Sequence, residues 1–409
     1  MESHISMSNF TLYFHEESLK NKVLKIHQKY VSSEDSFKIE MLKLLVEPEF
    51  ENLLTLERNI CSFVINKDIS HKDFYNNLEI LYHNTLNKIK NKKPVQEKLD
   101  NLKNNIVNES WSYDDYKELK VLLNRRGCQS LKGNLKVVFF YINSLELEFL
   151  KLYDIFHKKT NNDMLKKFQK FEALYPELKN IQNLKKNQEK FKIITNNWNG
   201  YFFTFLQNIS VCPYCQSQYI YTYYALQGKK EGGIRPELDH YFPKSRHPLL
   251  AVSAYNLIPS CKQCNSSIKG DDIDYESLVN LYLEEINSNF EFYIVPQKAR
   301  EGTSETDSLV GKSLNYDISY RASKFKAEEF VKIEKFLDSF HIKNRYSFLK
   351  KHIKEQLYLR VSHPKIVRDS LEKNFDLNFR KNNNFEIGNN RFLGKVLDDL
   401  LLQEIDKDG

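Results

Sequence analysis

Four cysteines in two tight pairs constrain this chain more than any other feature. Cys212-Pro-Tyr-Cys215 and Cys261-Lys-Gln-Cys264 are separated by forty-five residues. Each Cys-x-x-Cys turn aims two thiolates at one cation, so the pairs together predict a tetrahedral four-sulfur cage for structural Zn2+. The chain must close on itself at that point. The gap exceeds the ~15–20 residues of a plain zinc ribbon, so the looped-out residues hold structure of their own. Cys61 and Cys128 stand alone and read as buried small apolar residues. Six cysteines in 409 residues fit a reducing compartment with a metal site better than a disulfide framework.

A redox reading competes, because Cys-Pro-Tyr-Cys is also the dithiol of glutaredoxins. Such a dithiol opens a helix, whose dipole favours the first thiolate. Here an aromatic, β-branched stretch over 218–225 comes next, which predicts a strand, and the second pair has no redox purpose.

Between the pairs lies Glu237-Leu-Asp-His-Tyr-Phe-Pro-Lys-Ser245, and Asn256-Leu-Ile-Pro-Ser-Cys-Lys-Gln-Cys-Asn265 runs into the second pair. An Asp-His pair, an Asn about fifteen residues on, and an Asn entering a helix beside a Cys-x-x-Cys resemble the HNH, or ββα-metal, endonuclease motif. The resemblance covers residues 212–270. It implies hydrolysis of a phosphodiester, DNA ahead of RNA. A divalent ion, Mg2+ or Mn2+, neutralises charge on the phosphate and leaving oxygen, with Asp239 and Asn265 as its oxygen ligands. His240, with an ordinary pKa of ~6.5, takes the proton of the attacking water. Asn256 orients the imidazole or its loop, and Lys244 and Lys269 contact phosphates. His247 is a second, weaker candidate base. Neighbouring strand residues point to opposite faces, so Asp239 and His240 need a bend to share one site. A zinc module that binds nucleic acid or a partner without catalysis is the alternative. It needs neither Asp239, His240 nor Asn265.

Glycine and proline divide the chain. Residues 1–200 hold three of twelve glycines and three of ten prolines, whereas five prolines fall between 213 and 259. Sparse breakers predict long helices, so residues 1–200 form an α-helical domain, in which helices are expected from about 70, after 112 and over 135–159. Residues 201–275 form the zinc-clamped core, with strands at 237–242 and 256–259 and a short helix at 265–269. Residues 276–409 are mostly helical, with a strand at 291–295, a polar loop over 299–314, and helices over 328–340, 345–361 and 364–375. The fold class is mainly α around a small ββα-metal core. The large helical region is also open to a scaffold or sensor role, with the core as its effector.

Charge bears on partners. The chain carries +7 overall, but residues 201–280 carry seven basic and seven acidic residues. Residues 341–368 carry eight basic residues and one acid, enough to follow a phosphate backbone or simply to form a solvated helix face. The stretch Phe336-Leu-Asp-Ser-Phe-His-Ile-Lys-Asn-Arg-Tyr346 is similar to the segment C-terminal to the motif in HNH proteins of bacterial anti-phage systems such as the Septu type. That resemblance implies an ATPase partner subunit. The longest apolar run, 137–142, is far short of the ~20 residues of a membrane span. No basic-then-apolar leader opens the chain, so a cytoplasmic protein is expected.

Overall fold

The structure is a computed structural model. It describes residues 7, 9–30, 35–66, 133–157, 195–225, 232–269, 279–282, 290–297, 304–322 and 327–362, with isolated positions elsewhere. The helices expected from 70, after 112 and over 364–375, and Cys128, lie outside these residues.

The described residues are mainly helical, with three small two-stranded sheets. Among the described residues the first helices are α1 (Asn9–Tyr30), α2 (Asp35–Lys43), α3 (Phe50–Asn66) and the long α4 (Gly133–His157). Each longer helix buries one stripe at helical spacing. In α4 the stripe is Ile142, Leu145, Phe149, Leu152, Tyr153 and Phe156; in α3 it is Leu53, Leu56, Ile60 and Cys61. The short α5 (Gly200–Gln207) starts where the Asn199 side chain accepts from the amides of Tyr201 and Phe202. It stops at Asn208, whose left-handed φ of 51° ends the helical ladder.

Strands β1 (Tyr223–Ala225) and β2 (Gly232–Ile234) pair antiparallel. Of the strand expected over 218–225, only the last three residues join a sheet; Tyr219 makes a single bridge to Val211. Strands β3 (Glu237–His240) and β4 (Leu257–Ser260) also pair antiparallel, with His240 opposite Leu257. The loop between them carries two 3-10 segments, Pro248–Val252 and Ala254–Asn256. The short helix expected at 265–269 runs over Gln263–Lys269 and is a π-helix, a wider coil that is frequent at functional sites.

Beyond it, β5 (Phe290–Pro296) pairs with β6 (Tyr316–Ala322). The loop expected over 299–314 contains a short helix, α6 (Glu305–Leu309), opened by a capping box at Ser304. Helix α7 (Ala327–Ser339) comes next. The helix expected over 345–361 is broken at Leu349 into α8 (Ile342–Phe348) and α9 (Lys350–Ser362).

The β3–β4 loop sits inside the N-terminal helices. Leu249, Leu250, Ala251 and Val252 are buried against α4 and α3. The His15 ring of α1 donates from Nε2 to the Val252 carbonyl at 2.7 Å, and the Ala254 amide donates to the Leu45 carbonyl at 2.9 Å. Phe50 packs on Tyr241 and Phe242 at 4.1 and 5.0 Å. One continuous apolar cluster therefore runs from α1 to the C-terminal helices. The boundary expected near residue 200 falls inside it. Among the described residues no helix is long and apolar enough to cross a membrane.

Candidate metal cage and adjoining cleft

The two knuckles meet. The sulfurs of Cys212, Cys215, Cys261 and Cys264 lie within 4.8 Å of one another, all four are buried, and none forms a disulfide. Burial pushes the Cys212 thiol up, while the hydrogen bond from Cys212 pulls Cys215 down. Four converging sulfurs with backbone amides on two of them fit a tetrahedral cation: the Cys261 amide donates to Cys212 Sγ and the Cys264 amide to Cys261 Sγ, each at 3.4 Å. The C-terminal part closes over the cage. Tyr214 stacks on Phe340 at 4.3 Å, Tyr346 donates to the Cys215 carbonyl, and Arg345 Nη1 lies 3.4 Å from Cys264 Sγ. A guanidinium there offsets the negative charge of thiolates.

On β3 the pleat sends Asp239 and His240 to different partners. Asp239 meets the π-helical turn. Lys269 Nζ donates to Asp239 Oδ1 at 3.0 Å and Oδ2 at 2.8 Å, and also to the backbone carbonyls of His240 at 2.6 Å and Tyr241 at 3.2 Å. The Tyr214 hydroxyl donates to the same carboxylate. Lys269, expected at the phosphate, is only 2% exposed. A buried ammonium needs an anion and acceptors, and the β3 residues supply both. Asn265 turns its amide to Glu237, donating from Nδ2 to Oε2 at 2.9 Å, and Ser266 Oγ donates to the same oxygen at 2.8 Å. The donor set expected for a divalent ion thus does not fit one in this arrangement: both Asp239 oxygens face Lys269.

His240 meets α4 and the loop. Its Nε2 lies 3.0 Å from the Ala251 carbonyl, and its ring sits edge-on to Tyr153 at 4.7 Å. A carbonyl cannot donate, so Nε2 carries the proton and Nδ1 the lone pair. Burial pulls the His240 pKa down to about 3, with Lys244 and Lys269 adding repulsion. Asn256, fully buried, ties the loop ends. Its Oδ1 accepts from the Phe242 amide at 2.7 Å, and its Nδ2 donates to the carbonyls of Leu250 at 2.9 Å and Phe242 at 3.2 Å. It shapes the loop that offers Ala251 to His240. His247 points elsewhere: its Nδ1 lies 2.7 Å from Glu57 and 3.1 Å from Lys117 Nζ.

No protein-family model and no solved structure matches the chain. Over 75 residues it is 31% identical to the Septu protein PtuB of Bacillus thuringiensis. That stretch is 18% of this chain and 29% of the relative, so the similarity covers less than a third of that protein's length.

Beside His240 the end of α4 adds residues that the motif does not contain. The Tyr153 hydroxyl lies 3.0 Å from His157 Nδ1, and the Lys244 ammonium sits 4.4 Å over the Tyr153 ring. Arg235 Nη2 donates to His157 Nδ1 at 2.9 Å. Partial burial and the cations Arg235 and Lys244 pull the His157 pKa down to about 4. The sequence signal for these residues is faint: two positions at the end of an aromatic helix, about eighty residues before Asp239 and His240.

Proposed function

We propose that this protein is a zinc-clamped endonuclease of the HNH type, hydrolysing phosphodiester bonds of nucleic acid, DNA ahead of RNA, in an anti-phage role. The observation that carries it is His240: a neutral imidazole oriented by a backbone carbonyl, on a β-hairpin bracketed by a four-cysteine cage. The partial similarity to a Septu protein supports the defence role, while an ATPase partner rests on the resemblance carried by residues 336–346.

Zn2+ in the cage would hold the ends of the β3–β4 unit together. His240 accepts the proton of the attacking water at Nδ1, while Nε2–H stays on Ala251 and fixes the ring. A base with a pKa near 3 is weak at neutral pH. An arriving phosphate favours the imidazolium and raises that value. Asn256 holds the geometry, and Lys244, exposed on the rim, meets the phosphate. Asp239 and Asn265 remain the proposed anchors of a divalent ion only if Lys269 leaves the carboxylate, and no step here depends on that ion.

The Asp239–Lys269 pairing favours a second reading, in which the unit is a non-catalytic zinc module and Asp239 a structural counter-ion. Plasmid and RNA cleavage, with and without Mg2+ or Mn2+, separates the two. The nuclease reading expects His240→Ala to lose 10²–10⁴-fold in rate at unchanged zinc content. Wild-type protein that cuts no nucleic acid, even with its partner supplied, leaves the module reading.

A further inference from the structure

Three exposed tyrosines stand in a row next to this site. Along 219–223 the side chains alternate. Ile220 is buried and Thr222 Oγ1 meets Thr204 Oγ1 at 2.8 Å, on the inner side. Tyr219, Tyr221 and Tyr223 face outward, 64%, 56% and 55% exposed. Ile234, directly opposite Tyr223 in the β1–β2 pair, is 58% exposed and extends the row. Large apolar rings at alternate positions on an outer face are costly to leave in water, and contiguous exposed patches mark binding surfaces.

The row leads into a cleft of about 530 Å³ between the end of α4 and the β2–β3 connection, where Ile234 is a shared wall. Gly233 permits this closeness: a Cβ there would come within 2.8 Å of the Tyr201 ring. Arg235 stands in the cleft, with Nη1 on the Pro236 carbonyl at 2.8 Å, Nη2 on His157, and its guanidinium 5.4 Å over Tyr201. Lys244, over the Tyr153 ring, is exposed and has no acidic partner among the described residues. The cleft also holds Asp154 and Glu237, the latter already bonded to Asn265 and Ser266. Two carboxylates disfavour a deep anion pocket. Cations at the rim and neutral ring faces beyond it suit a strand whose phosphates stay outside while its bases lie on the rings.

We propose that this strip, from Arg235 across Ile234 to Tyr223, Tyr221 and Tyr219, binds an unpaired nucleic-acid strand next to the scissile bond. The proposal rests on the nuclease reading for its substrate, and it gives α4 a purpose as the wall of the binding track. Residues two apart in fully extended backbone are about 6.7 Å apart, so rings at alternate positions can each meet a successive unstacked base. Stacking on aromatic faces is tolerant of sequence. Arg235, held by His157, contacts the backbone with a planar fork suited to phosphate.

The test is anisotropy of fluorescein-labelled single-stranded DNA, single-stranded RNA and duplex DNA with the full chain, the probe confirmed intact by denaturing gel. Tyr221→Ser/Tyr223→Ser should weaken single-strand binding about 10- to 100-fold and leave duplex binding unchanged. Arg235→Ala should weaken both and lower the slope of log affinity against log salt by about one unit. Arg235→Lys should restore the slope without the full affinity. The tyrosines are exposed and Arg235 is half-buried, so zinc content with far-UV circular dichroism verifies the fold of each variant. Wild-type binding that ignores the tyrosines overturns the proposal while leaving the nuclease reading intact. Tyrosine-dependent binding by a chain that never cleaves sustains the strip as a single-strand binding surface and removes the nuclease reading, and with it the scissile bond. Absence of binding in the wild type removes this proposal whatever the cleavage assay shows.

Discussion

The cysteine cage and the β3 pair, Asp239 and His240, are neighbours held in opposite ways. The cage is assembled by two knuckles, and backbone amides of the second point at the sulfurs of Cys212 and Cys261. The β3 pair takes its partners from elsewhere: Lys269 and Tyr214 for Asp239, Ala251 and the distant Tyr153 for His240. A site built from short turns is specified by spacing alone. A site whose residues are buried against other elements has its charges and proton positions set by those elements. The same Asp-His pair can then be a metal anchor or a structural counter-ion, according to the groups that pack beside it.

Breaking the cage should have the largest effect. Cys261→Ser should lose the metal, and structural zinc contributes on the order of 10–16 kcal/mol in small peptides. Mass spectrometry of bound metal and limited proteolysis within 201–280 measure this. A zinc-free chain with normal stability and a Cys212–Cys215 disulfide would restore the redox reading and erase the contrast.

Lys269→Ala should come next. It leaves Asp239 buried without its cation, which typically costs about 3–5 kcal/mol. Asp239→Asn with Lys269→Met should recover much of that loss, since no charge remains to be paired. Urea unfolding of Lys269→Met, Asp239→Asn and the double variant measures the coupling. Unchanged stability in Lys269→Ala would mean that Asp239 is open to another cation, as the HNH resemblance implies.

Acid should act through the buried histidines. His15 is held at about 4 and His240 at about 3, both chiefly by burial, against ~6.5 when unfolded. Between those values the unfolded chain binds more protons, so stability rises with pH there and is lost as pH falls below about 6.5. The slope approaches about 1.4 kcal/mol per pH unit for each histidine. Thermal unfolding from pH 7 to 4.5 should show it, and His15→Gln should remove one proton's share. His15 lies on the bond that holds α1 to the β3–β4 loop, so a flat profile would mean that this contact opens before the molecule unfolds.

Legibility in the sequence divides along the same line. The cage, β3, β4, β5 and the long helix α4 are readable, because each is written in local spacing or in a stripe of apolar residues. The burial of Cys61 at 0% exposure agrees with its reading as a small core residue. The π-helical path of Gln263–Lys269 is not readable, since nothing in a seven-residue stretch distinguishes it from an α-turn. Lys269 resembles a surface cation for that reason. Its burial comes from the wider coil, which brings its ammonium onto β3. Tyr153 and His157 resemble the end of an ordinary core helix, and only the docking of α4 against the β3–β4 loop reveals them beside His240.

The smallest effect is expected from the basic segment 341–368, and it tests whether charge density alone marks a binding face. Its cations are less available than their count suggests. Lys350 donates to Asp317 at 2.7 Å, and Arg345 lies against the cage. Lys343 and Lys351 are exposed. An exposed lysine that tracks a backbone contributes about one unit of salt slope per phosphate contact, and a solvated one contributes none. Lys343→Gln with Lys351→Gln should therefore change nucleic-acid affinity only a few-fold and the slope by less than about one unit. Arg235→Ala, a single charge beside the site, should exceed both. If the two lysines matter more than Arg235, the backbone runs along α8 and α9, and the cleft is not where the strand is gripped.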